Sequence, residues 1–251
     1  MRLRVLGCAG AEFPHFHPSA FLVDESLLLD AGTIGAVLSE HEQWAIAEIF
    51  ITHAHLDHIR GIPMLADNIV IKELDKHLNI YGIDATIDSL GTHLLNDVIW
   101  PDFSKIPPAH PVIRYRRIVP EVELEIGAYR VTAVAVNHTV PAVGYIVRKG
   151  NKSIMYTGDT GPTERLWEFT DGLSALIIEV SFPNEMEELA LLTRHLTPAL
   201  LARELKKIKT LPPRILVTHP KPQHYDKIAS ELDDLGNARI ELLRDGNVYE
   251  L

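Results

Sequence analysis

Short apolar runs separated by polar turns give the chain its rhythm, and their spacing predicts the elements. Leu3–Leu6, Ala20–Val23 and Leu27–Leu29 read as strands, the last two split by the hairpin-type turn Asp24-Glu25-Ser26. Ile34–Trp44 has helical spacing, and Ala45–Ile51 is an apolar run bounded by polar residues, as a buried strand would be. Residues 64–110 predict short strands near Ile69 and Ile80 and a helix near Ile83–Leu94. Pro101, Pro107, Pro108 and Pro111 then mark a loop. Strands follow at Val112–Val119, Glu121–Leu124, Tyr129–Val136, Gly144–Arg148, Ser153–Tyr156 and Ala175–Val180. Thr197-Pro198 is an N-cap followed by proline at the first helical position. Leu200, Leu201, Leu205 and Ile208 share one face of that helix, and Lys206, Lys207 and Lys209 sit near its C-terminal end, where the dipole favours them. Arg214–Val217 reads as a strand, Tyr225–Leu235 as a helix, and Ile240–Leu243 and Val248–Leu251 as closing strands. Strands followed by helices twice over predict two β-sheets packed together with helices outside. The expected organisation is one domain over 1–251, built of two αβ halves at approximately 1–110 and 111–251.

Composition narrows the chemistry. Of 251 residues, 13 are histidine and one, Cys8, is cysteine. A single cysteine excludes an internal disulfide framework and a Cys-rich zinc or iron–sulfur site. Lys plus Arg is 24 against 34 Asp plus Glu, and 24 − 34 = −10 argues against a protein whose main task is gripping nucleic-acid phosphates. The segment Met1–Gly7 reads as a first strand rather than a signal peptide, and no segment approaches the roughly 20 apolar residues of a membrane helix. With a lone thiol, a cytoplasmic location without a membrane partner is expected.

The histidines cluster at strand ends. In Thr52-His53-Ala54-His55-Leu56-Asp57-His58, three imidazoles and one carboxylate fall within six residues after the strand at Ala45–Ile51. Such a group is costly to bury unless something pairs it, and a divalent metal does so. His138 follows Tyr129–Val136, Asp159 follows Ser153–Tyr156, and His219 follows Arg214–Val217. Each alone is equally a turn or cap residue. Together, His53, His55, Asp57, His58, His138, Asp159 and His219 are too many ligands for one tetrahedral ion and suit two metals with water positions open.

The run His-x-His-x-Asp-His, a later His, a Gly-Asp pair and a strand-terminal His resemble the metallo-β-lactamase superfamily over nearly the whole chain. The resemblance implies an α+β (αββα) sandwich of two packed mixed β-sheets with helices on the outer faces. It implies a dinuclear metal site in which His53, His55 and His138 hold one ion, Asp57, His58 and His219 the second, and Asp159 bridges. Asp30, in Leu-Leu-Leu-Asp-Ala-Gly, resembles the family's early aspartate, which supports the site from behind. A histidine at His58 is unusual among true β-lactamases and argues against antibiotic hydrolysis.

A narrower resemblance is to class II cyclic-nucleotide phosphodiesterases. It rests on His55-Leu-Asp57-His58-Ile-x-Gly61, Asn137-His138-Thr-Val-Pro-Ala-Val-Gly-Tyr145, Tyr156-Thr-Gly-Asp159-Thr-Gly-Pro162, Glu179-Val-Ser-Phe-Pro183 and His195-Leu-Thr-Pro198. After Gly61 this chain departs from the aliphatic, small-residue pattern, with Ile62-Pro63-Met64-Leu65-Ala66-Asp67-Asn68. The resemblance implies hydrolysis of 3′,5′-cyclic nucleotides (cAMP or cGMP) to 5′-monophosphates by a metal-bridging hydroxide. Two divalent ions are implied, zinc by default with manganese or iron as alternatives. Asp57 would orient the hydroxide, and His195 would protonate the leaving oxygen or contact the phosphate, with Glu179 fixing its tautomer. His15, His17 and His224 are candidate substrate contacts. Two divalent ions, two aspartates and a hydroxide sum to about +1, so an acidic chain can still hold a small phosphodiester. A homodimer stays open. The competing readings are an RNase Z-like tRNA 3′-processing nuclease, disfavoured by the charge and by the lack of a basic Gly/Pro-rich arm, a thioester or lactone hydrolase, and a non-catalytic metal-binding scaffold.

Overall fold

The computed structural model describes residues 1–251. From the N-terminus the elements are β1 (Arg2–Gly7), β2 (Ala20–Val23), β3 (Leu27–Leu29), α1 (Glu40–Ala45), β4 (Glu48–Phe50), α2 (Leu56–Ile59), α3 (Gly61–Ile71), β5 (Leu78–Gly82) and α4 (Asp84–Ser89). A π-helical turn at Leu90–Leu94 continues α4, and β6 (Ile113–Arg117), β7 (Glu123–Ile126), β8 (Tyr129–Ala135), β9 (Val143–Lys149), β10 (Lys152–Tyr156) and β11 (Ala175–Glu179) follow. The chain closes through α5 (Glu187–Thr193), α6 (Pro198–Leu205), β12 (Arg214–Thr218), α7 (Tyr225–Asp233), β13 (Ile240–Leu242) and β14 (Val248–Glu250).

These strands make two seven-stranded sheets, ordered β14-β1-β2-β3-β4-β5-β6 and β13-β12-β11-β10-β9-β8-β7. The first sheet therefore takes β6 and β14 from the second half of the chain. β3 to β6 run parallel, as do β10 to β13, and both sheets also hold antiparallel pairs. Parallel strands bury both faces, so β11 reads Ala-Leu-Ile-Ile-Glu with every residue buried.

Strand periodicity distributes those side chains between layers. Ala175 and Ile177 face Phe21, Phe50, Tyr145 and Leu216 between the sheets, while Leu176 and Ile178 face Leu200, Leu201 and Ile228 of the outer helices. A third core packs Ile62, Leu65, Ile69 and Ile87 against Leu28, Ile49 and Ile80 on the far side of the first sheet. The layers are thus helix, sheet, sheet, helix, as expected. Burying a leucine of α6 such as Leu200 contributes about 1.5–3 kcal/mol relative to exposure. No helix is long and apolar enough to cross a membrane.

Three local expectations need correction. The helix expected at Ile34–Trp44 forms only over Glu40–Ala45. A capping box starts it: Ser39 Oγ accepts from Glu42 N, and the Glu42 carboxylate accepts from Ser39 N at 2.8 Å. Ile34 and Leu38 reach the core from turns instead. The strand expected at Ala45–Ile51 shrinks to Glu48–Phe50, because Ala45 closes α1. The strand expected near Ile69 is the end of α3, whose buried Ile62, Leu65, Ala66 and Ile69 have helical spacing. Pro63 lies in its first turn, where a missing N–H breaks no helical bond.

Candidate metal centre

Most of the candidate residues lie at or just beyond the carboxyl ends of strands, where α/β folds place their ligands. Asp30 follows β3, Thr52 to His55 follow β4, and Asp57 and His58 sit on α2. His138 follows β8, Asp159 follows β10, Glu179 ends β11, and His219 follows β12. Sharp turns deliver several of them. Asp30 (φ 56°), Arg194 (φ 55°) and His219 (φ 67°) adopt left-handed backbone, a strain of about 1–3 kcal/mol each that concentrates at functional sites. Two glycines permit the closest approaches. A Cβ on Gly10 would lie 2.7 Å from His219 Nδ1, and Gly158 (φ +60°) would place one 2.8 Å from Thr52 Cβ.

The donors converge in two groups. His53, His55, His138 and Asp159 form one, and Asp57, His58 and His219 the other, with the ligand atoms of each group within 4.8 Å of one another. In the first, His55 Nδ1 lies 2.9 Å from His53 Nε2 and 3.2 Å from His138 Nε2. In the second, His219 Nε2 lies 3.4 Å from Asp57 Oδ2. Asp159 Oδ1 joins the groups, 3.4 Å from His58 Nε2 and 3.3 Å from His219 Nε2. Asp159 and His219 also form a third such group with His195, placing His195 beside the second set.

These groups fit a divalent cation. Nε2 of His58, Nε2 of His219 and Oδ1 of Asp159 are buried and satisfy no hydrogen bond. An orphan of this kind costs about 1–3 kcal/mol, so three pointing together need a common partner. Nitrogen ligands 2.0–2.1 Å from a tetrahedral ion stand about 3.3 Å apart, close to the spacings above. The remaining ring nitrogens are tied back, which turns the free lone pairs inward. His53 Nδ1 is 3.0 Å from Thr52 Oγ1, His58 Nδ1 is 2.7 Å from Asp30 Oδ2, and His138 Nδ1 is 3.2 Å from the Arg194 carbonyl. His219 Nδ1 is 2.9 Å from Ser181 Oγ.

Electrostatics agree. Burial holds His53, His55 and His138 below the usual imidazole range, so they are neutral donors. Burial also disfavours a charged His58, but Asp159 and Asp30 outweigh it and raise its pKa well above the ordinary value, so a cation bound here would displace the proton on Nε2. Burial pushes the Asp57 and Asp159 carboxyls up, yet the surrounding His219 and His58 win and hold both ionised. Two carboxylates, the buried Asp159 and the partly exposed Asp57, thus stay charged among imidazoles, a donor set that suits a hard or borderline cation.

His195 stands at the rim of this cluster. Its Nδ1 is 2.6 Å from Glu179 Oε1, and its ring lies 5.4 Å from that of His219 and 5.2 Å from that of His138. Burial lowers its proton affinity, but the Glu179 charge and hydrogen bond reverse this and raise it. The three suggested substrate contacts fall outside both donor groups. His17 Nδ1 pairs with Asp245 at 2.8 Å, His15 lines a cavity with Phe16 and Tyr225, and His224 lies in the turn before α7. Sequence reasoning assigned no role to Thr52, Ser181 or Arg194. Period-two alternation beyond Glu179 is the signal that could have found Ser181; the left-handed turn at Arg194 leaves no sequence signal.

Two mixed sheets between helices, with this His/Asp cluster at their edge, define a metal-dependent hydrolase of the metallo-β-lactamase fold. Residues 28–220 match the beta-lactamase superfamily domain, and the chain belongs to that family. A Yersinia pestis protein named "Probable 3′,5′-cyclic-nucleotide phosphodiesterase" is 30% identical over 234 residues, covering 79% of this chain. The match spans 66% of that relative's own length. A Ribonuclease Z from Methanococcus maripaludis is 26% identical, covering 96% of this chain and 94% of its own. Among solved structures, unliganded yeast PDE1 superposes with a TM-score of 0.84 at 20% identity, covering 100% of this chain and 99% of that one.

Proposed function

We propose that this protein is a dinuclear metal-dependent phosphodiesterase that hydrolyses 3′,5′-cyclic nucleotides to 5′-monophosphates. The observation that carries the reading is His195, held by Glu179 at the edge of two donor groups that Asp159 joins. The phosphodiesterase name of the Yersinia relative supports it. Bound there, two divalent ions, zinc by default, would acidify a water and polarise phosphate oxygens.

His53, His55 and His138 would hold one ion and Asp57, His58 and His219 the other, with Asp159 within reach of both groups. Asp57, the most exposed of the site's three aspartates, would accept a hydrogen bond from the attacking water and orient it. Glu179 occupies His195 Nδ1, so Nε2 carries the proton given to the departing 3′-oxygen. Asp30 holds His58 from behind. The substrate is a small phosphodiester, and the site has no need of a membrane.

A Ribonuclease Z-type activity is the second reading, favoured by the nearly end-to-end match to the Methanococcus protein. A net charge of −10 weighs against a long polyanion. One panel separates the readings: cyclic AMP, cyclic GMP, 2′,3′-cyclic nucleotides, precursor tRNA and a thioester, with products identified by chromatography. Turnover of cyclic AMP or GMP to the 5′-monophosphate is expected. Cleavage of precursor tRNA alone, or of the thioester alone, would overturn the proposal.

A further inference from the structure

Most of the donor cluster is sealed. His53, His58, His138, Asp159 and His219 are buried, and only His55 and Asp57 keep appreciable exposure. A substrate whose phosphate reaches this centre must therefore extend past one of those two residues. Beside His55 lies a cavity of about 370 Å³. Its volume falls in the range of small-molecule sites, about 300–1,000 Å³.

The walls come from three segments that meet at the site. Leu56 and Ile59 belong to α2, next to the ligands Asp57 and His58. Val140 and Pro141 follow His138 in the β8–β9 loop. Ala85, Ser89 and Leu94 come from α4 and its π-helical continuation. π-Helical turns are rare and recur at functional sites, and this one lines the cavity. The lining is apolar apart from a few polar groups, among them Ser89, His93 and Thr86, whose buried hydroxyl has no hydrogen-bond partner. Leu56 is 63% exposed, an apolar side chain left at the rim.

We propose that this cavity binds the purine nucleoside of the substrate while the cyclic phosphate sits at the metal centre. The assignment rests on the phosphodiesterase reading above and names its specificity site. A flat heteroaromatic ring suits apolar walls with a few polar groups. With so few polar groups, recognition depends on shape, and cyclic AMP and cyclic GMP bind with similar affinity. The larger cavity beside His15, Phe16 and Tyr225, about 450 Å³, contains none of the donor residues and is not that site.

The test uses the metal-loaded enzyme and two variants made separately, Ala85→Phe and Ser89→Phe, at half-exposed positions of α4. Each projects a ring into the cavity from a different turn, and circular dichroism confirms folding. The readouts are kcat/KM for cyclic AMP, cyclic GMP and ethyl p-nitrophenyl phosphate, a diester without a nucleoside, plus calorimetric Kd for 5′-AMP. Efficiency on cyclic nucleotides relative to the small diester should fall tenfold or more, through KM, and the Kd should rise in parallel. If the wild type hydrolyses cyclic nucleotides and both variants keep the same ratio and Kd, the cavity assignment fails alone. If the wild type cleaves the small diester but neither cyclic nucleotide, the substrate reading fails and takes the nucleoside assignment with it.

Discussion

Asp30 and Glu179 do the same work from the two sheets. Each is a fully buried carboxylate at the end of a central strand. Asp30 accepts directly from His58 Nδ1 at 2.7 Å and reaches His53 through the Thr52 hydroxyl. Glu179 accepts directly from His195 Nδ1 at 2.6 Å and reaches His219 through the Ser181 hydroxyl. Each carboxylate thus fixes the tautomer and tilt of one ring directly and of a second through a hydroxyl.

Removing one relay should loosen one metal position without unfolding the protein. Ser181→Ala deletes the hydroxyl between Glu179 and His219. Partners of this kind are worth about tenfold to a hundredfold in metal affinity. We expect one of two bound ions to be lost that much more readily in competition with a chromophoric chelator. Equal affinities in the wild type and the variant would show that Ser181 does not orient His219.

Proton donation by His195 gives a pH signature. An acid catalyst works while protonated, so kcat/KM holds below the His195 pKa and declines as pH rises through it. Glu179 raises that pKa against the opposing effect of burial. Glu179→Gln removes the charge, so the alkaline limb of the profile should move to lower pH. His195→Ala should remove the limb and slow turnover by about 10²–10⁴, less with a p-nitrophenolate leaving group that needs no proton. An alkaline limb unmoved by Glu179→Gln would assign that ionisation to another group.

The metal-type residues were legible because their chemistry is concentrated: His53 to His58 crowd within six positions, and the later donors each follow an apolar strand. The layer order was legible because strands followed by helices recur in both halves of the chain. Less was legible where a local rule met a tertiary reason to break it. Pro63 looks like a breaker yet fits the first turn of α3. Ile34 and Leu38 have helical spacing yet are buried from turns. The relays through Thr52 and Ser181 join residues far apart in sequence, Thr52 to Asp30 and Ser181 to His219, and only the folded chain displays them.

Gly10 tests how closely the loop after β1 must approach the site. An alanine Cβ there would lie 2.7 Å from both Nδ1 and the carbonyl oxygen of His219, a distance real Cβ atoms do not adopt. His219 N also donates to the Cys8 carbonyl at 2.6 Å, so neither segment can retreat freely. Gly10→Ala should displace His219 and reduce bound metal from about two ions toward about one, measured by elemental analysis after gel filtration. Full occupancy would mean that the loop yields rather than the ligand.

Metal removal should also cost stability, and the orphaned atoms say why. Without a cation, His58 Nε2 and His219 Nε2 lie 3.4 and 3.3 Å from Asp159 Oδ1 with no well-formed hydrogen bond among these buried atoms, and only the imidazoles offset the charges of Asp57 and Asp159. Ions that bind only the folded chain stabilise it by about 4 kcal/mol at a thousandfold excess over Kd. For a chain of this length each kcal/mol moves Tm by about 2–4 °C, so EDTA should lower Tm by about 10 °C. Adding back zinc or manganese should restore it in calorimetry, together with activity. A metal-depleted protein that melts at the temperature of the loaded one would contradict this, because unpaired buried donors would then carry no penalty that a cation relieves.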